Sequence, residues 1–356
     1  MQERVFDRLG GVVRGGLSRR EFLAGVGGML VLGAAGCGGG SGGSEGGSGG
    51  SAQTRTVEHK YGSTEIEGMP ERVVSLGYQE HDYLYALGVS PVGVRYWYGD
   101  ENDVIREWAE DAAGDADPEI LNMPEGLNFE AIAALEPDLI VGAYSGMTQE
   151  DYDTLSEIAP TVAQSEDYID YGMPWQETTQ LLGRAVGRPE RAEELVAEVE
   201  AQFEEARRQN PQFEGKTISI ATYTGESFGV FAEEDLRSRF FTSLGFTVPE
   251  EFTELAGDSF FANLSEEQVE LLEADVLVWD QISFTEGGRR AIEENPLINR
   301  IPAMQEGRVV YLEGLTEEAF GWQSPLSIPY ALEQIVPMLA EATEADGQTT
   351  TEETTG

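Results

Sequence analysis

The sequence has few of the residues that most often build covalent or metal-binding sites. It contains one cysteine, which excludes an intramolecular disulfide, and two histidines, which exclude a zinc or manganese site built from several imidazoles. It also has no P-loop, no H-E-x-x-H motif and no G-x-S-x-G turn between a strand and a helix. We therefore predict no catalytic residue, no metal site and no resident cofactor.

Basic residues are scarce as well. The 22 lysines and arginines stand against 66 aspartates and glutamates, which gives a formal net charge of −44. A polyanion would be repelled by such a chain, so nucleic acid is excluded as a partner. The acidity is explained either by a solvated surface that keeps the protein soluble or by exposure to high salt.

The N-terminal residues form an export signal. Residues 18–23 read SRREFL, which matches a twin-arginine signal, and the apolar segment that follows is too short to span a membrane. Small residues then precede Cys37, as in a bacterial lipoprotein cleavage site, so we predict that Cys37 is lipidated. Residues 1–36 are thus the signal peptide, and residues 37–56 are a flexible Gly/Ser linker.

The remaining chain has the composition of an ordinary globular protein. Short apolar strands alternate with helices along it, and this alternation predicts an α/β fold with open parallel sheets. The pattern runs through residues 57–187, an N-terminal lobe, and again through residues 211–340, a C-terminal lobe. Residues 341–356 are rich in Thr and Glu and are predicted to form a disordered acidic tail.

One long helix is predicted between the lobes, over residues 188–210. Pro189 suits the first turn, and the Asn210-Pro211 pair ends the helix. Apolar residues recur at three- and four-residue steps along one stripe. They are Ala192, Leu195, Val196, Val199, Phe203 and Ala206.

A repeat relates the two lobes. LNFEAIAALEPDLIV begins at Leu127 and LSEEQVELLEADVLV begins at Leu264. Each copy has a small polar helix cap, and Glu130 and Glu267 lie two residues after it. An acid in a first helical turn is stabilised by the helix dipole. That effect does not explain why each lobe carries an acid at the same place.

Aromatic residues are concentrated in the loops that follow the predicted strands, where open parallel sheets bind ligands. Arg237 lies near this rim, either in a salt bridge with a neighbouring acid or as a partner for an anionic ligand. Our candidate ligand-binding residues, chosen by loop position and chemistry, are Tyr78, Trp97, Tyr144, Tyr223, Arg237, Trp279 and Trp322.

Several stretches together resemble the iron-siderophore substrate-binding lipoproteins of bacterial ABC importers. They include RVVSLGYQEHDYLYALGVSPVGV, LNFEAIAALEPDLIVGAYSG, RSRFFTSLGF and SIPYALEQIVP, and the resemblance covers roughly residues 55–340. It implies two Rossmann-like lobes joined by a single long helix, the class III periplasmic-binding-protein architecture. It also implies that Glu130 and Glu267, which match the family's motif, dock onto the two permease subunits.

The resemblance implies a function as well. The protein would be a lipid-anchored, extracytoplasmic protein that captures a ferric siderophore in an aromatic cleft and delivers it to an ABC permease dimer, without chemistry. The family also includes haem- and vitamin B12-binding proteins, so haem or a corrinoid remains an alternative ligand. A secreted hydrolase on the same scaffold is a remote alternative.

Overall fold

A computed structural model describes residues 54–96, 104–123, 126–257 and 259–352. The signal peptide and Cys37 lie outside these residues. The first strand, β1 (Thr54–His59), begins inside the segment predicted as linker, because it pairs with β2 (Gly62–Glu67) in an antiparallel hairpin. Side chains on one face of this hairpin, including Val57 and Ile66, are buried in the core.

The N-terminal sheet is parallel throughout, as predicted. Its strands are β3 (Val73–Ser75), β4 (Gly93–Arg95), β5 (Glu119–Leu121), β6 (Leu139–Gly142) and β7 (Thr161–Ala163). Their spatial order is β5-β4-β3-β6-β7. The helices of this lobe are α1 (Glu80–Ala86), α2 (Glu110–Ala113), α3 (Phe129–Ala134), α4 (Gln149–Ile158) and α5 (Trp175–Ala185). The sequence pattern missed β5, which has only three residues.

The C-terminal sheet is mixed, whereas we predicted a parallel sheet. Its strands are β8 (Ile218–Tyr223), β9 (Phe228–Phe231), β10 (Phe261–Leu264), β11 (Val276–Trp279) and β12 (Val309–Tyr311), in the order β10-β9-β8-β11-β12. β8, β11 and β12 are parallel, but β9 runs antiparallel to both β8 and β10. The turn between β8 and β9 is too short for the crossover that a parallel pair needs.

The remaining helices flank this sheet and connect the lobes. They are α6 (Pro189–Gln209), α7 (Leu236–Ser243), α8 (Glu250–Ala256), α9 (Arg289–Glu293), α10 (Pro302–Glu306), α11 (Leu315–Trp322) and α12 (Ser327–Glu352). α12 continues past residue 341, where the sequence predicts a disordered tail. The helix-forming run Glu341–Ala345 extends its hydrogen-bonded turns across that boundary.

The long helix α6 confirms the predicted connection between the lobes. Its buried residues are the six that the sequence pattern assigned to one stripe. They belong to a hydrophobic cluster that contains residues from both sheets, such as Val73 of β3 and Ile218 of β8. Burying one stripe of a helix against a core is the main source of its stability. The helix and the inner faces of the two sheets therefore share one core.

The outer faces of the sheets have separate cores. Successive side chains of a strand point to opposite faces. In β3, Val73 lies in the shared core and Val74 in a cluster confined to the N-terminal lobe. In β11, Val278 lies in the shared core, while Leu277 lies in a cluster confined to the C-terminal lobe.

Buried polar contacts also connect the lobes where the segment before α12 meets α1. Asp82 of α1 accepts hydrogen bonds from Trp108 Nε1 at 2.7 Å and from Ser324 Oγ at 2.8 Å. The neighbouring Tyr83 hydroxyl donates to the Gln323 carbonyl at 2.5 Å. Because Asp82 is fully buried, its pKa is raised to about 6. The N- and C-terminal parts of the chain are thus linked by hydrogen bonds as well as by α6.

Candidate functional site

Three tyrosines of the N-terminal lobe meet where its strands end. Tyr78 follows β3, Tyr144 follows β6, and Tyr171 lies in the segment between β7 and α5. The rings of Tyr144 and Tyr171 lie edge to face with centroids 5.0 Å apart, and Tyr78 stacks with Tyr171 at 6.3 Å. All three side chains are half-buried. We call these three residues the tyrosine wall, and it contains two of our predicted ligand-binding residues.

Arg95, the last residue of β4, packs against the tyrosine wall. Its guanidinium carbon lies 4.3 Å from the centroid of the Tyr78 ring, within cation–π range. Its Nη1 donates to the Ser145 carbonyl at 3.3 Å, and the Tyr171 hydroxyl donates to the same oxygen at 3.4 Å. Arg95 therefore packs on one ring of the wall and shares a carbonyl acceptor with a second tyrosine. The sequence analysis did not single it out, although its position at a strand end was a usable signal.

A buried carboxyl group supports the loops that carry the wall. Glu80 of α1 accepts hydrogen bonds from the backbone N–H groups of Tyr144 at 2.5 Å and Gly77 at 3.3 Å. Gly77 permits this approach, since a Cβ at that position would overlap the Glu80 carboxyl group. Burial raises the pKa of Glu80 to about 7, against the lowering effect of these N–H groups and of Arg95. Glu80 thus fixes the loops after β3 and β6 relative to each other.

Arg237 is the cationic centre of the C-terminal side. Its Nε donates to Asp280 Oδ2 at 2.9 Å, and its Nη1 lies 3.4 Å from Asp235 Oδ1. Its guanidinium stacks 4.5 Å from the centroid of Phe231. Burial lowers the pKa of Arg237, but the two carboxylates more than offset that effect and raise it overall. The salt bridge that we considered for Arg237 is therefore present, with Asp235 as one partner.

The tyrosine wall and Arg237 belong to one site, because α7, which carries Arg237, contacts the segment that carries Tyr171. Burial raises the pKa of Tyr144, while the positive charge of Arg237 opposes the rise. Nearby, Arg239 Nη1 donates to the carbonyl of Gly172 at 2.9 Å, which places α7 directly against the segment carrying Tyr171. The site therefore combines aromatic rings from one lobe with a paired guanidinium from the other.

Tyr223 lies at the carboxyl end of β8 in the C-terminal lobe. Its ring stacks on Phe228 with centroids 4.8 Å apart, and its hydroxyl donates to the Gly225 carbonyl at 2.8 Å. The side chain is half-buried. These contacts lie within the turn between β8 and β9, and the role of Tyr223 as a ligand contact stays a prediction.

Two of the predicted tryptophans are core residues instead. Trp279 is fully buried, because as the last residue of β11 it shares a face with Leu277 and packs in the outer core of the C-terminal lobe. Its Nε1 lies 3.4 Å from Met304 Sδ. Trp322, at the end of α11, is 2% exposed and packs edge to face against His81 and Trp108 of the other lobe. The position of a residue after a strand did not reveal either orientation.

Trp97, the remaining candidate, lies outside the described residues. So do its neighbours up to residue 103, and the described stretch before this gap ends at Tyr96, one residue after Arg95. Trp97 as a ligand contact therefore stays a prediction.

The two glutamates of the repeat are both exposed and both lie in a first helical turn. Glu130 lies in α3, whose cap Asn128 accepts from the Ala131 N–H at 3.1 Å. Glu267 lies in a short 3₁₀ helix, Glu266–Leu272, which begins with a capping box between Ser265 and Gln268. The predicted caps are confirmed, although the second copy forms a tighter helix than the first.

A second buried carboxyl group lies beside Arg237's partner Asp280. Glu317 of α11 accepts from the Ser283 N–H at 3.0 Å and from the Ser283 hydroxyl. Burial, followed by the charge of Asp280, raises its pKa to about 7. Glu317 also lines a cavity of about 350 Å³ in the C-terminal lobe, together with Ile282, Ser283, Thr285, Gly288, Glu313 and Gly314. Sequence reasoning missed Asp280 and Glu317, although Asp280 directly follows β11.

Among the described residues, no group of histidines, cysteines and carboxylates is arranged to hold a metal ion. In the same part of the chain, no helix has the length and apolar character needed to cross a bilayer.

Comparisons with known proteins agree with this arrangement. The periplasmic binding protein family matches residues 73–314, more than half of the chain. The probable siderophore-binding lipoprotein YfiY of Bacillus subtilis is 30% identical over 236 residues, which cover 64% of this chain and 69% of that protein. The Fe(3+)-citrate-binding protein YfmC of the same organism is 26% identical, covering 72% of this chain and 77% of that protein.

Solved structures show the same fold. A periplasmic solute-binding protein of Mycobacterium smegmatis superposes with a TM-score of 0.72 at 33% identity, covering 82% of this chain and 99% of that one. PiaA of Streptococcus pneumoniae, solved in complex with ferrichrome, superposes with a TM-score of 0.70 at 29% identity, with the same coverage of both chains. The predicted two-lobed α/β architecture is therefore confirmed.

Proposed function

The chain belongs to the periplasmic binding protein family, and on that premise we propose that it captures a ferric siderophore between its lobes and delivers it to an ABC importer, without catalysing a reaction. One observation carries the proposal. A hydrogen bond from Arg239 Nη1 to the Gly172 carbonyl, at 2.9 Å, brings the helix that carries Arg237 of the C-terminal lobe against the segment that carries Tyr171 of the tyrosine wall. Aromatic faces suit the organic shell of a chelated metal, and a guanidinium supplies hydrogen-bond donors for its oxygen atoms.

Relatives support this choice of ligand. The names of YfiY and YfmC refer to a siderophore and to ferric citrate, and PiaA was solved with ferrichrome. Iron would be the cargo, held by the siderophore rather than by protein side chains. The site offers such a chelate aromatic rings and hydrogen-bond donors.

Titration of the intrinsic tryptophan fluorescence tests the proposal. We expect saturable quenching by at least one ferric siderophore, because a light-absorbing ferric chelate bound between the lobes can quench the buried tryptophans of both lobes without touching them. The metal-free siderophore is the matched control. Saturation by haem or cobalamin, with no response to any ferric siderophore, would replace the ligand class with the haem or corrinoid alternative. Hydrolysis of an added ester or glycoside would instead support the hydrolase alternative.

We further propose that Glu130 and Glu267 dock onto the two permease subunits. Each is exposed, each lies in the first turn after a capped helix start, and each lobe carries one. Carboxylates so placed would be able to pair with basic residues of a two-fold partner. We expect Glu130→Ala combined with Glu267→Ala to abolish siderophore uptake by cells and to leave the ligand dissociation constant unchanged.

The matched control for docking is Glu150→Ala combined with Glu250→Ala. These acids are also exposed, lie in first helical turns and are divided between the lobes. The control should retain uptake. If both pairs lose uptake equally, overall charge rather than docking explains the loss, and reduced ligand affinity in the first pair would also contradict the assignment.

The protein is proposed to act outside the cytoplasm, exported by the twin-arginine route and anchored through a lipid on Cys37. The SRREFL signal, the lone cysteine after small residues and the lipoprotein relatives support this. Fractionation of cells that express Cys37→Ala provides the check. Membrane association that persists in this variant would rule out the lipid as the anchor.

A further inference from the structure

The guanidinium of Arg237 brings no net positive charge to the site, because two buried acids flank it. Asp280 is 2% exposed and Asp235 is 5% exposed. Asp280 accepts from Nε at 2.9 Å, while Asp235 lies 3.4 Å from Nη1 and also accepts from the Arg237 backbone N–H at 2.8 Å. With either carboxylate ionised the trio is neutral, and with both ionised it carries one negative charge.

The other cations near the site are also engaged. Arg239 donates to the Gly172 carbonyl, and its charge acts on Asp235. Arg95 donates to the Ser145 carbonyl, and its charge acts on Glu80. Glu317, close enough to Asp280 for their charges to interact, adds a further buried acid on the C-terminal side. The three arginines thus face four acids, Glu80, Asp235, Asp280 and Glu317.

The rest of the chain does not reverse this balance. Every lysine and arginine after residue 53 lies in the described part of the chain. Residues 97–103, which lie outside it, read WYGDEND and contain three acids and no base. They therefore add no positive charge to the site.

A charged ligand that loses its water must gain an opposite charge in return. A ferric tricatecholate carries three negative charges, and here it would meet a guanidinium whose charge Asp235 and Asp280 already balance, so no net positive charge compensates the loss of its water. An uncharged chelate avoids that cost. It can still stack on the tyrosine wall and accept hydrogen bonds from guanidinium N–H groups.

We propose that Asp235 and Asp280 make this site selective for ferric siderophores without net negative charge, namely neutral or cationic ferric trihydroxamates. The proposal rests on the proposed function and specifies its ligand class. Arg237 acts as a hydrogen-bond donor whose charge is already balanced. The two aspartates therefore determine ligand specificity without necessarily touching the ligand.

The first test compares the wild-type protein with three chelates of different charge. They are ferrichrome, which is neutral, ferrioxamine B, which is cationic, and ferric enterobactin, which is trianionic. We expect ferrichrome or ferrioxamine B to bind at least about a hundredfold more tightly than ferric enterobactin, equivalent to about 2.8 kcal/mol. Binding of ferric enterobactin as tight as that of both other chelates would overturn the proposal while leaving the proposed function intact. Binding of none of the three would count against the proposed function itself.

The second test removes the two carboxylates that balance the charge of Arg237. In Asp235→Asn combined with Asp280→Asn, the amides keep the size of the side chains and acceptor oxygens for Arg237. We expect affinity for ferric enterobactin to rise at least about tenfold, equivalent to about 1.4 kcal/mol, with affinity for the preferred hydroxamate changed by a much smaller factor. The matched control, Glu233→Gln combined with Glu234→Gln, removes two exposed acids beside Asp235 and should leave the ratio of affinities unchanged.

A third measurement uses only the wild-type protein, so it tests the proposal even if the double variant does not fold. Added salt screens both repulsion and attraction between exposed charges. If the site repels anions, the affinity of wild-type protein for ferric enterobactin should stay level or increase with added sodium chloride. A steep decrease would show net attraction to the anion and would overturn the proposal. An unchanged affinity ratio in a correctly folded double variant would overturn the role of the two aspartates.

Discussion

Each lobe has a buried glutamate beside the candidate site that accepts hydrogen bonds from backbone N–H groups, but the two glutamates differ in what they connect. Glu80 is fully buried and joins two loops that follow different strands, through the N–H groups of Gly77 and Tyr144. Glu317 is 5% exposed and bonds a single residue, Ser283, which is itself exposed. The N-terminal surface is thus held by hydrogen bonds between strand ends, whereas the C-terminal surface is organised by charge around Arg237.

The largest effect on stability is expected from Glu80→Ala. This change leaves two buried N–H groups without their acceptor, which costs about 2–4 kcal/mol in the free energy of unfolding. It should also weaken ligand binding, since Tyr78 and Tyr144 lose their common support. Urea denaturation and the fluorescence titration measure the two effects. Glu80→Gln, which retains an acceptor oxygen, is the control and should lose much less; an alanine variant as stable as the glutamine variant would contradict the bracing role.

A smaller effect on the free energy of unfolding is expected from a change in pH. The folded-state pKa of Glu80 is raised to about 7, so its contribution to stability is present at acidic pH and is lost as pH rises through about 7. We expect the free energy of unfolding of wild-type protein, relative to Glu80→Gln, to decrease with rising pH by up to about 1.4 kcal/mol per pH unit. Denaturation curves between about pH 5.5 and pH 8 measure the difference.

The comparison with Glu80→Gln removes the contributions of other titrating groups. Burial lowers the pKa of His81 to about 4, which has the opposite effect on stability below the ordinary histidine pKa. Burial also raises the pKa of Asp82 and of Glu317. All three groups are present in both proteins, so their contributions cancel in the difference. Parallel pH profiles of the two proteins would show that Glu80 does not titrate in this range.

The smallest effect is expected from Glu317→Ala, at about 1 kcal/mol or less in the free energy of unfolding. Ser283 is exposed, so water can replace the lost acceptor, and removal of the acid relieves its repulsion with Asp280. Urea denaturation measures the change. A loss as large as that from Glu80→Ala would show that the two lobes are braced in the same way, contrary to the comparison drawn above.

The repeat shows a related difference between the lobes. The first copy forms an α-helix at Phe129–Ala134, and the second forms a 3₁₀ helix at Glu266–Leu272 that directly follows strand β10. Both copies keep the polar cap and the exposed glutamate. Local sequence therefore predicted the start of each helix and the position of Glu130 and Glu267, but it did not predict that the two helices differ in type.

Local patterns were enough for the helix α6, for four of the five strands in the N-terminal sheet, and for the positions of Tyr78 and Tyr144 after their strands. They were not enough for Trp279, which the sequence analysis grouped with the aromatic residues that follow strands. The difference is that Trp279 is the last paired residue of its strand, so the alternation of the sheet turns it into the outer core.

The sequence by itself determined the two-lobed plan, since helical and strand periodicity depend on neighbours a few residues away. Only the tertiary structure decided that β9 runs antiparallel, that Trp322 packs against His81 of the other lobe, and that Asp280 balances Arg237. Asp280 and Arg237 are 43 residues apart in the chain. Their contact depends on how α7 packs beside β11, and no local pattern carries that information.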